Sequence, residues 1–361
     1  MVNDVSNAKI QFLSDNASPV CPEAWEAMEQ ANLSPDSTFT IAYGDDPVTA
    51  EATQRIQEVF ETDCEVFFVF NGSAANALAL ASICQPFHGI VAHPFAHAET
   101  DEANAPEFFT GGAKLLHLDG AQGKVNPRGM ANLLRRGHGI HSARIRAVTI
   151  TQATEVGTIY SVDEVREITS LKQAHPEMDF KFHMDGARFA NALVGLGNVS
   201  PKEITWQAGI DVLTFGGTKN GCPGTEAVVF FEKELAREFA WRRKQAGQLA
   251  SKMRYLAAPW IGILKNDTWL KNARHANDHA QKLANELTAF SEVILPFKVE
   301  SNAVFAQLPE GVAEELHERG WLFYEFTSAD AWRFMCTWST TSEAIQALIG
   351  DIRQIIARPS V

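Results

Sequence analysis

Short apolar runs of strand length alternate with longer amphipathic stretches over the first two thirds of the chain. Between these runs the helix signals are clear: Ser161 and Glu164 have the spacing of a capping box, which opens a predicted helix over residues 162–175. The alternation predicts an α/β fold with a mostly parallel sheet flanked by helices. The predicted strands cover residues 65–70, 89–93, 114–118, 146–152, 180–184, 211–215 and 227–231.

The pattern changes after about Lys244, where a long helical stretch is followed by shorter segments of both periodicities. This order predicts a smaller α+β domain packed on the first. We therefore expect a large domain over residues 1–250 and a small C-terminal domain over residues 251–361. In the small domain the predicted strands cover residues 293–297, 303–308 and 333–338, and the predicted helices cover residues 269–290, 312–319 and 342–357.

Composition narrows the classes of function. The 361 residues carry a formal charge of −13, which argues against nucleic acid as the main partner because phosphate binding needs clustered cations. The five cysteines form no C-x-x-C pair, so neither a disulfide framework nor a zinc site is predicted, and a reducing cytoplasm is expected. The histidines show no metal-ligand spacing. No export signal and no membrane-spanning apolar run is found, so no membrane association is expected.

A strand-to-helix junction is a candidate phosphate site. The strand over residues 65–70 ends in Asn71-Gly72-Ser73 and leads into an Ala- and Leu-rich helix. The free N–H groups and positive dipole end of such a helix, with a hydroxyl beside them, suit a phosphate. The junction contains neither a Walker A loop nor a dinucleotide fingerprint. The alternative is a plain turn in which Ser73 is the helix N-cap.

A second strand end carries an acid and an arginine. Asp185 follows the strand over residues 180–184, and Arg188 comes three residues later. Ligands of open α/β sheets bind at these carboxyl ends. Side chains placed in this way can hold one cationic ring nitrogen and one anionic group. The alternative is that Asp185 only caps the next helix and that Arg188 lies on the surface.

Lys219 and His97 also follow apolar strands. Glycines flank Lys219 and let backbone and ligand approach closely, and a lysine in such a cleft can form Schiff bases. The alternative is a solvated loop lysine. The ring of His97 can stack on an aromatic cofactor, although a lone histidine is more often structural.

These features suit one small molecule, pyridoxal 5′-phosphate (PLP). A lysine forms the imine with the cofactor, an aspartate keeps the pyridine nitrogen protonated, and a helix end neutralises the phosphate. Three weak signals that agree on one ligand support the prediction better than any single one.

At these residues the chain resembles the fold type I PLP enzymes, and within them the low-specificity L-threonine aldolases of the β-eliminating lyase superfamily. The resemblance covers nearly the whole chain and implies the PLP-dependent transferase-like fold. The string His183-Met-Asp-Gly-Ala-Arg188 is highly specific. The other matching segments are Ser14-Asp15-Asn16, Tyr43-Gly-Asp-Asp-Pro47, Asn71-Gly72-Ser73, His97, Gly216-Gly-Thr-Lys219-Asn-Gly221 and Trp332-Arg333.

The resemblance assigns the cofactor contacts residue by residue. It makes Lys219 the Schiff-base lysine, Asp185 the partner of the pyridine nitrogen and His97 the residue stacked on the ring. Gly72 and Ser73 would hold the phosphate.

Three further residues, Ser14, Arg188 and Arg333, match positions at which the family binds the substrate carboxylate. Arg188 would also lie near the phenolic oxygen of the cofactor. Many family members carry Thr-His-Asn in the loop where this chain has Gln152. The base that handles the substrate hydroxyl therefore stays open between Gln152, a water molecule and His97.

The resemblance implies an aldolase that cleaves the Cα–Cβ bond of L-threonine, L-allo-threonine or a related L-β-hydroxy-α-amino acid such as phenylserine, giving glycine and an aldehyde. One alternative is another reaction on the same fold, such as β-elimination, transamination or decarboxylation; a second is a catalytically idle PLP-fold protein. Family members build their sites at dimer interfaces and often form tetramers. A homo-oligomer is therefore expected, with residues 43–46 near the interface.

Overall fold

The computed structural model describes residues 10–33, 41–135, 137, 139–326 and 330–357. Its strands form three sheets. The strands are β1 (Ile10–Gln11), β2 (Glu65–Val69), β3 (His88–Ala92), β4 (Lys114–His117), β5 (Arg144–Thr151), β6 (Lys181–Gly186), β7 (Val212–Gly216), β8 (Glu226–Phe230), β9 (Ala303–Ala306), β10 (Trp321–Leu322), β11 (Tyr324–Phe326) and β12 (Ala331–Met335).

The largest sheet has seven strands in the order β2-β8-β7-β6-β5-β3-β4. Strands β3 to β7 pair in parallel, whereas β8 pairs antiparallel with β7 and with β2. Neighbouring residues of one strand face different apolar clusters: Val212 belongs to one cluster and Leu213 to the other. The sheet is therefore covered on both faces, as the continuously apolar strands indicate. The predicted fold class is confirmed.

Helices connect the strands and supply both covering layers. They are α1 (Pro22–Leu33), α2 (Pro47–Phe60), α3 (Gly72–Ile83), α4 (His97–Thr100), α5 (Ala105–Thr110), α6 (Pro127–Arg135), α7 (Val162–Thr169), α8 (Leu171–Ala174), α9 (Phe189–Leu196), α10 (Pro201–Ile204), α11 (Phe239–Gln245), α12 (Arg254–Leu264), α13 (Thr268–Leu287), α14 (Val312–Glu318) and α15 (Ser342–Ile356). In the described part of the chain, none of the helices combines the length and apolar character needed to span a bilayer.

Two local predictions are wrong. The helix expected over residues 162–175 is divided at Ser170 into α7 and α8. The hydroxyl of Ser170 donates to the carbonyl of Glu167, which illustrates how serine side chains compete with the backbone for helix carbonyls. The strand expected over residues 293–297 is reduced to an isolated bridge between Ile294 and Gln307, because Pro296 has no N–H to continue a ladder.

The N-terminal segment packs against the C-terminal part of the chain, which the sequence pattern does not predict. Strand β1 pairs in parallel with β10, and the ring of Phe12 lies 6.2 Å from that of Trp321 and 6.3 Å from that of Phe334. Strands β11, β12 and β9 form the small antiparallel sheet beside it. This packing places the residues that follow Phe12 at the edges of the large sheet and of the small antiparallel sheet. The domain division at residue 250 stays a prediction.

Candidate active site

A cavity of about 570 Å³ lies between the carboxyl ends of the large sheet and the small antiparallel sheet. Its lining combines the N-terminal segment, the loops after β3, β5, β6 and β7, and strands β11 and β12. Five of the residues singled out from the sequence line it together: Ser14, His97, Arg188, Lys219 and Arg333.

Lys219 lies in a short helical turn directly after β7 and is half-buried, so it is not a fully solvated loop lysine. The neighbouring glycines are required by the backbone. Gly221 has φ +102°, and a Cβ on Gly216 would lie 2.3 Å from the carbonyl oxygen of Ala187. The lysine loop therefore packs tightly against the end of β6.

A buried carboxylate on the neighbouring strand β8 binds the backbone of this loop. Glu226, the first residue of β8, accepts the N–H of Gly217 at 2.7 Å. Burial raises the pKa of Glu226 to about 7, although the neighbouring Thr218, Gly217 and Lys219 oppose the rise. Glu226 was not singled out from the sequence, where its one available signal is an acid beside an otherwise apolar strand.

Arg188 forms a buried ion pair with Asp15. Its Nε and Nη2 donate to the two carboxylate oxygens at 2.7 and 3.0 Å, and Asn302 donates to the same carboxylate at 3.1 Å. Burial alone would raise the pKa of Asp15, but the charges of Arg188 and Lys219 and the two hydrogen-bond partners hold it below its usual value. Asp15 therefore stays ionised and fixes Arg188. Residues 14–16 match the family in sequence, but no role for Asp15 was predicted from that match.

Arg333 projects from β12 into the same cavity. Its Nη2 donates to the carbonyl of Leu13 at 3.0 Å, and its guanidinium lies 5.3 Å from the centre of the Tyr324 ring. Its buried Nε has no hydrogen-bond partner, and no carboxylate lies within 4.0 Å of the guanidinium, among the residues that the structure describes. Burial, and then the charge of Arg188, lower the pKa of Arg333. Arg333 is thus a cation with spare donor capacity, which suits an anionic ligand group.

Asp185 does not line the cavity directly. It is buried at the end of β6, where Oδ1 accepts the N–H of Ala187 at 3.0 Å and Oδ2 accepts from Nδ2 of Asn76 at 2.9 Å. Helix α9 begins later, with Arg188 at its N-cap position. The alternative that Asp185 merely caps that helix is therefore wrong.

His97 connects to Asp185 through two residues that the sequence analysis missed. Its Nδ1 lies 2.8 Å from Oε1 of Glu102, and the same oxygen accepts from Nδ2 of Asn76 at 2.8 Å. Burial alone would lower the pKa of His97, but the Glu102 hydrogen bond and the charges of Glu155 and Asp185 outweigh it and raise the pKa. The signal that could have identified Asn76 is a single amide in an Ala- and Leu-rich helix.

Gly72 and Ser73 form the first turn of α3 and lie outside the lining of the cavity. The helix N-cap is Asn71, whose Oδ1 accepts the N–H of Ala74 at 2.8 Å, so the assignment of Ser73 as N-cap is wrong. Open space surrounds the position where Gly72 would carry a Cβ. Because Asn71 satisfies only the third N–H of the helix, the first two remain available to an anion.

Gln152 cannot act as the base. It is fully buried, its Nε2 donates to the carbonyl of Tyr160 at 2.8 Å, and its Oε1 accepts the N–H of Tyr160 at 2.9 Å. Both ends of the amide are occupied by the backbone. The candidates left by the sequence are His97 and a water molecule.

These residues fit PLP. A buried carboxylate is available for a cationic ring nitrogen, an amine lies in the cavity, and a helix start with free N–H groups is available for a phosphate. The cavity volume lies in the range of small-molecule and cofactor sites.

Known proteins with similar sequences and structures support this assignment of the cofactor. The profile of the beta-eliminating lyase family matches residues 11–310. The low specificity L-threonine aldolase of Pseudomonas aeruginosa is 50% identical over 346 residues, which is 96% of this chain and 98% of that protein. The low specificity L-threonine aldolase of Escherichia coli K12 is 26% identical over 86% of this chain and 87% of its own length.

Solved structures show the same fold. Threonine aldolase of Leishmania major superposes with a TM-score of 0.88 at 24% identity, covering 96% of this chain and 99% of that one. Enzymes of this family and fold depend on PLP, so the predicted cofactor and the predicted carbon–carbon lyase class are confirmed. The resemblance to threonine aldolases is likewise confirmed. This chain belongs to the beta-eliminating lyase family.

Proposed function

We propose that this protein is an aldolase that uses PLP to cleave L-threonine and L-allo-threonine, and related L-β-hydroxy-α-amino acids such as phenylserine, into glycine and an aldehyde. One observation carries the proposal: Lys219, an amine suited to hold the cofactor, lines the same cavity as Arg333, a cation whose Nε has no hydrogen-bond partner among the described residues. A substrate with one amine and one carboxylate needs both groups. The name of the Pseudomonas aeruginosa relative at 50% identity supports this substrate class.

Substrate binding is proposed to rest on Arg333 and Ser14, with Arg188 beside them. Arg333 can offer two parallel N–H donors to a planar carboxylate. Arg188 has two of its donors bound to Asp15, and its Nη1 lies 4.0 Å from a Glu155 oxygen. Arg188 is therefore a rigid neighbour whose remaining donors can face the substrate or the phenolic oxygen of the cofactor.

Four groups are proposed to contact the cofactor. Lys219 holds it through Nζ, Asp185 keeps its ring nitrogen protonated, His97 stacks on the ring, and the start of α3 at Gly72 and Ser73 binds the phosphate. When bound, PLP supplies an electron sink for the pair released as the Cα–Cβ bond breaks. His97 or a water molecule takes the proton of the substrate hydroxyl, which allows the aldehyde to leave.

The competing reactions on this fold are β-elimination and transamination. Ureidoglycine-glyoxylate aminotransferase of Bacillus subtilis also superposes on this chain, with a TM-score of 0.65 at 16% identity over 95% of this chain and 92% of that one, so the fold alone does not determine the reaction.

The experiment that tests the proposal incubates the purified protein and PLP with L-threonine. We expect glycine and acetaldehyde in equal amounts. Formation of ammonia and a keto acid instead would contradict the aldolase proposal, and no change in the absorbance of added PLP would contradict its use of the cofactor.

We further propose a homodimer with shared active sites that assembles into a tetramer. Tyr43, Phe70 and Trp241 are 49%, 59% and 73% exposed. Tyr43 and Phe70 lie beside one segment, because Tyr43 donates its N–H to the carbonyl of Ser251 at 3.0 Å and Phe70 donates its N–H to Gln248 at 2.9 Å, and Trp241 is on α11, the helix that precedes this segment. Such aromatic patches mark subunit contacts. Light scattering of Trp241→Glu should show smaller particles than the parent, and an unchanged mass would contradict this surface.

A cytoplasmic location is proposed from the thiols. Cys21, Cys64, Cys84, Cys222 and Cys336 are all free and buried in the structure. Free thiols persist in reducing compartments. Fractionation of the source cells, with the protein detected by antibody, tests the location.

A further inference from the structure

Asn76 is a polar residue in the apolar helix α3, one turn after Gly72 and Ser73. Its side chain is 3% exposed and lies among the alanines and leucines of that helix. Its Nδ2 donates to Oε1 of Glu102 at 2.8 Å and to Oδ2 of Asp185 at 2.9 Å. An amide nitrogen has two hydrogens, so each carboxylate receives one of them.

The two acceptors fix the orientation of this amide. With nitrogen and oxygen exchanged, Oδ1 would face two carboxylate oxygens and repel both, so only the orientation with Nδ2 toward Glu102 and Asp185 is favourable. Because both oxygens lie within hydrogen-bonding distance of one nitrogen, the two buried carboxylates are close neighbours. Asn76 donates a hydrogen bond to each carboxylate and so offsets part of the free-energy cost of burying the two groups side by side.

The same Glu102 oxygen also contacts Nδ1 of His97 at 2.8 Å. A continuous buried chain therefore runs from His97 through Glu102 and Asn76 to Asp185. Burial raises the pKa of Glu102, and the charge of Asp185 adds to the rise, whereas the hydrogen bonds from His97 and Asn76 oppose it. The charge on Glu102 thus depends on residues at both ends of the chain.

We propose that Asn76 is a positioning residue that couples Glu102 to Asp185, so that the orientation and charge of His97 depend on how the Asp185 carboxylate is held. The inference rests on the function proposed above, because Asp185 and His97 are its proposed cofactor contacts. Helix α3 then has two tasks: its first turn offers N–H groups to the phosphate, and its second turn aligns the groups at the ring.

Several charged groups surround His97, and Asn76 contacts two of them, Glu102 and Asp185. Glu102 contacts Nδ1, and Asp101 lies 3.6 Å from Nε2. The charges of Glu155, on the loop after β5, of Asp185, at the end of β6, and of Lys219, after β7, also act on the ring. Asn76 donates to Glu102 and Asp185 and not to His97, so a change at Asn76 influences the titration of His97 through these carboxylates.

The experiment measures the titration of His97 by NMR in cofactor-free, histidine-labelled protein, with His97→Asn to assign the signal. Asn76→Leu keeps the size of the side chain and removes both donors. We expect the proton dissociation constant of His97 to change at least about threefold in Asn76→Leu, and the same substitution to have a smaller effect when Glu102→Gln is already present. Ser82→Ala is the matched control, because Ser82 lies on the same helix and its hydroxyl donates to the carbonyl of Leu78 at 3.1 Å.

An unchanged His97 titration in a folded Asn76→Leu variant would overturn the inference, and so would an effect of equal size with and without Glu102→Gln. If Asn76→Leu does not fold by circular dichroism, Asn76→Ala, which suits an Ala-rich helix, replaces it under the same criteria. PLP affinity, measured from the absorbance of the cofactor, is the second readout. We expect it to fall at least about tenfold in Asn76→Leu, because Asp185 loses the donor that holds its carboxylate in place, and an unchanged affinity would also count against the inference.

These readouts separate the inference from the proposed function. The titration uses protein without cofactor or substrate, so it reports on the Asn76 coupling even if the protein cleaves no threonine. If the parent protein binds PLP and releases acetaldehyde while Asn76→Leu leaves both readouts unchanged, the role of Asn76 is wrong and the proposed function stands.

Discussion

The carboxylate of Asp15 binds the guanidinium of Arg188 through both of its oxygens, at 2.7 and 3.0 Å, across 173 positions of sequence. Both side chains are buried, and the pKa shifts of both favour the charged forms. The pair fixes one arginine of the cavity and leaves the other, Arg333, free of a carboxylate among the described residues. The first three predictions follow from this difference between a paired and an unpaired arginine.

Removal of the Asp15 charge should destabilise the protein. Asp15→Asn keeps the shape of the side chain but leaves Arg188 as a buried charge without its partner, which costs about 3–5 kcal/mol. Urea unfolding of the cofactor-free protein measures the loss. Replacement of both partners, as Asp15→Asn with Arg188→Met, should recover part of the stability because no unpaired charge remains. A loss below about 1 kcal/mol in the single variant would mean that solvent reaches the pair.

The same pair predicts a pH dependence. The pKa of Asp15 in the folded protein lies below its usual value of 3.8, so its contribution to stability is present above about pH 4 and is lost as the pH falls through the folded pKa. The difference in unfolding free energy between the parent and Asp15→Asn should therefore be constant near neutral pH and shrink below pH 4. A difference that grows on acidification would contradict the assigned direction.

Arg333→Ala should weaken substrate binding without altering the cofactor spectrum, because no cofactor contact is assigned to Arg333. Loss of a charge-assisted bond in a partly buried site costs about 2–4 kcal/mol, or some 30- to 1000-fold in kcat/KM for L-threonine. Titration with glycine, followed by cofactor absorbance, measures binding separately. Arg237→Ala is the control, since Arg237 is an exposed arginine paired with Glu234. Equal glycine affinity in parent and Arg333→Ala would remove Arg333 from the site.

Lys219→Ala should abolish turnover and leave the fold intact, because the substitution removes an amine from a half-buried loop and not a core contact. Borohydride reduction of the parent with PLP, followed by peptide mass analysis, should place the reduced cofactor on the peptide that contains Lys219. A label on a different lysine peptide would refute the assignment. Lys202→Ala, at an exposed surface ion pair, is the matched control.

Asp185→Asn should lower turnover by at least about 100-fold, which corresponds to roughly 3 kcal/mol of transition-state stabilisation. The amide keeps the shape of the side chain but cannot hold the ring nitrogen protonated. Steady-state kinetics at saturating PLP measures the effect, with the exposed Asp163→Asn as control. Near-normal turnover would leave Asp185 with a structural role only.

The alternation of buried strands and helices, and the residues at the strand ends, could be predicted from the chain alone. Both are local properties: an apolar run needs burial whatever its partner, and Gly221 is required by the positive φ of the lysine loop itself. For the same reason Lys219, Asp185 and Arg188 could be recognised from short strings. Local patterns failed at Ser170 and Pro296, where one residue interrupts an otherwise regular period.

The pairing of the buried charges could not be predicted in this way, because it depends on how the elements pack. Asp15 pairs with Arg188, and Arg333 contacts the backbone of Leu13 across 320 positions, because β1 crosses to the C-terminal part of the chain. Asn76 and Glu102 come together with Asp185 because α3 packs against the parallel sheet at its carboxyl edge. The residues next to a charged side chain in the sequence do not show which other charge it pairs with. Its role depends on burial and on the distance to other charges, and both are set when the strands and helices pack.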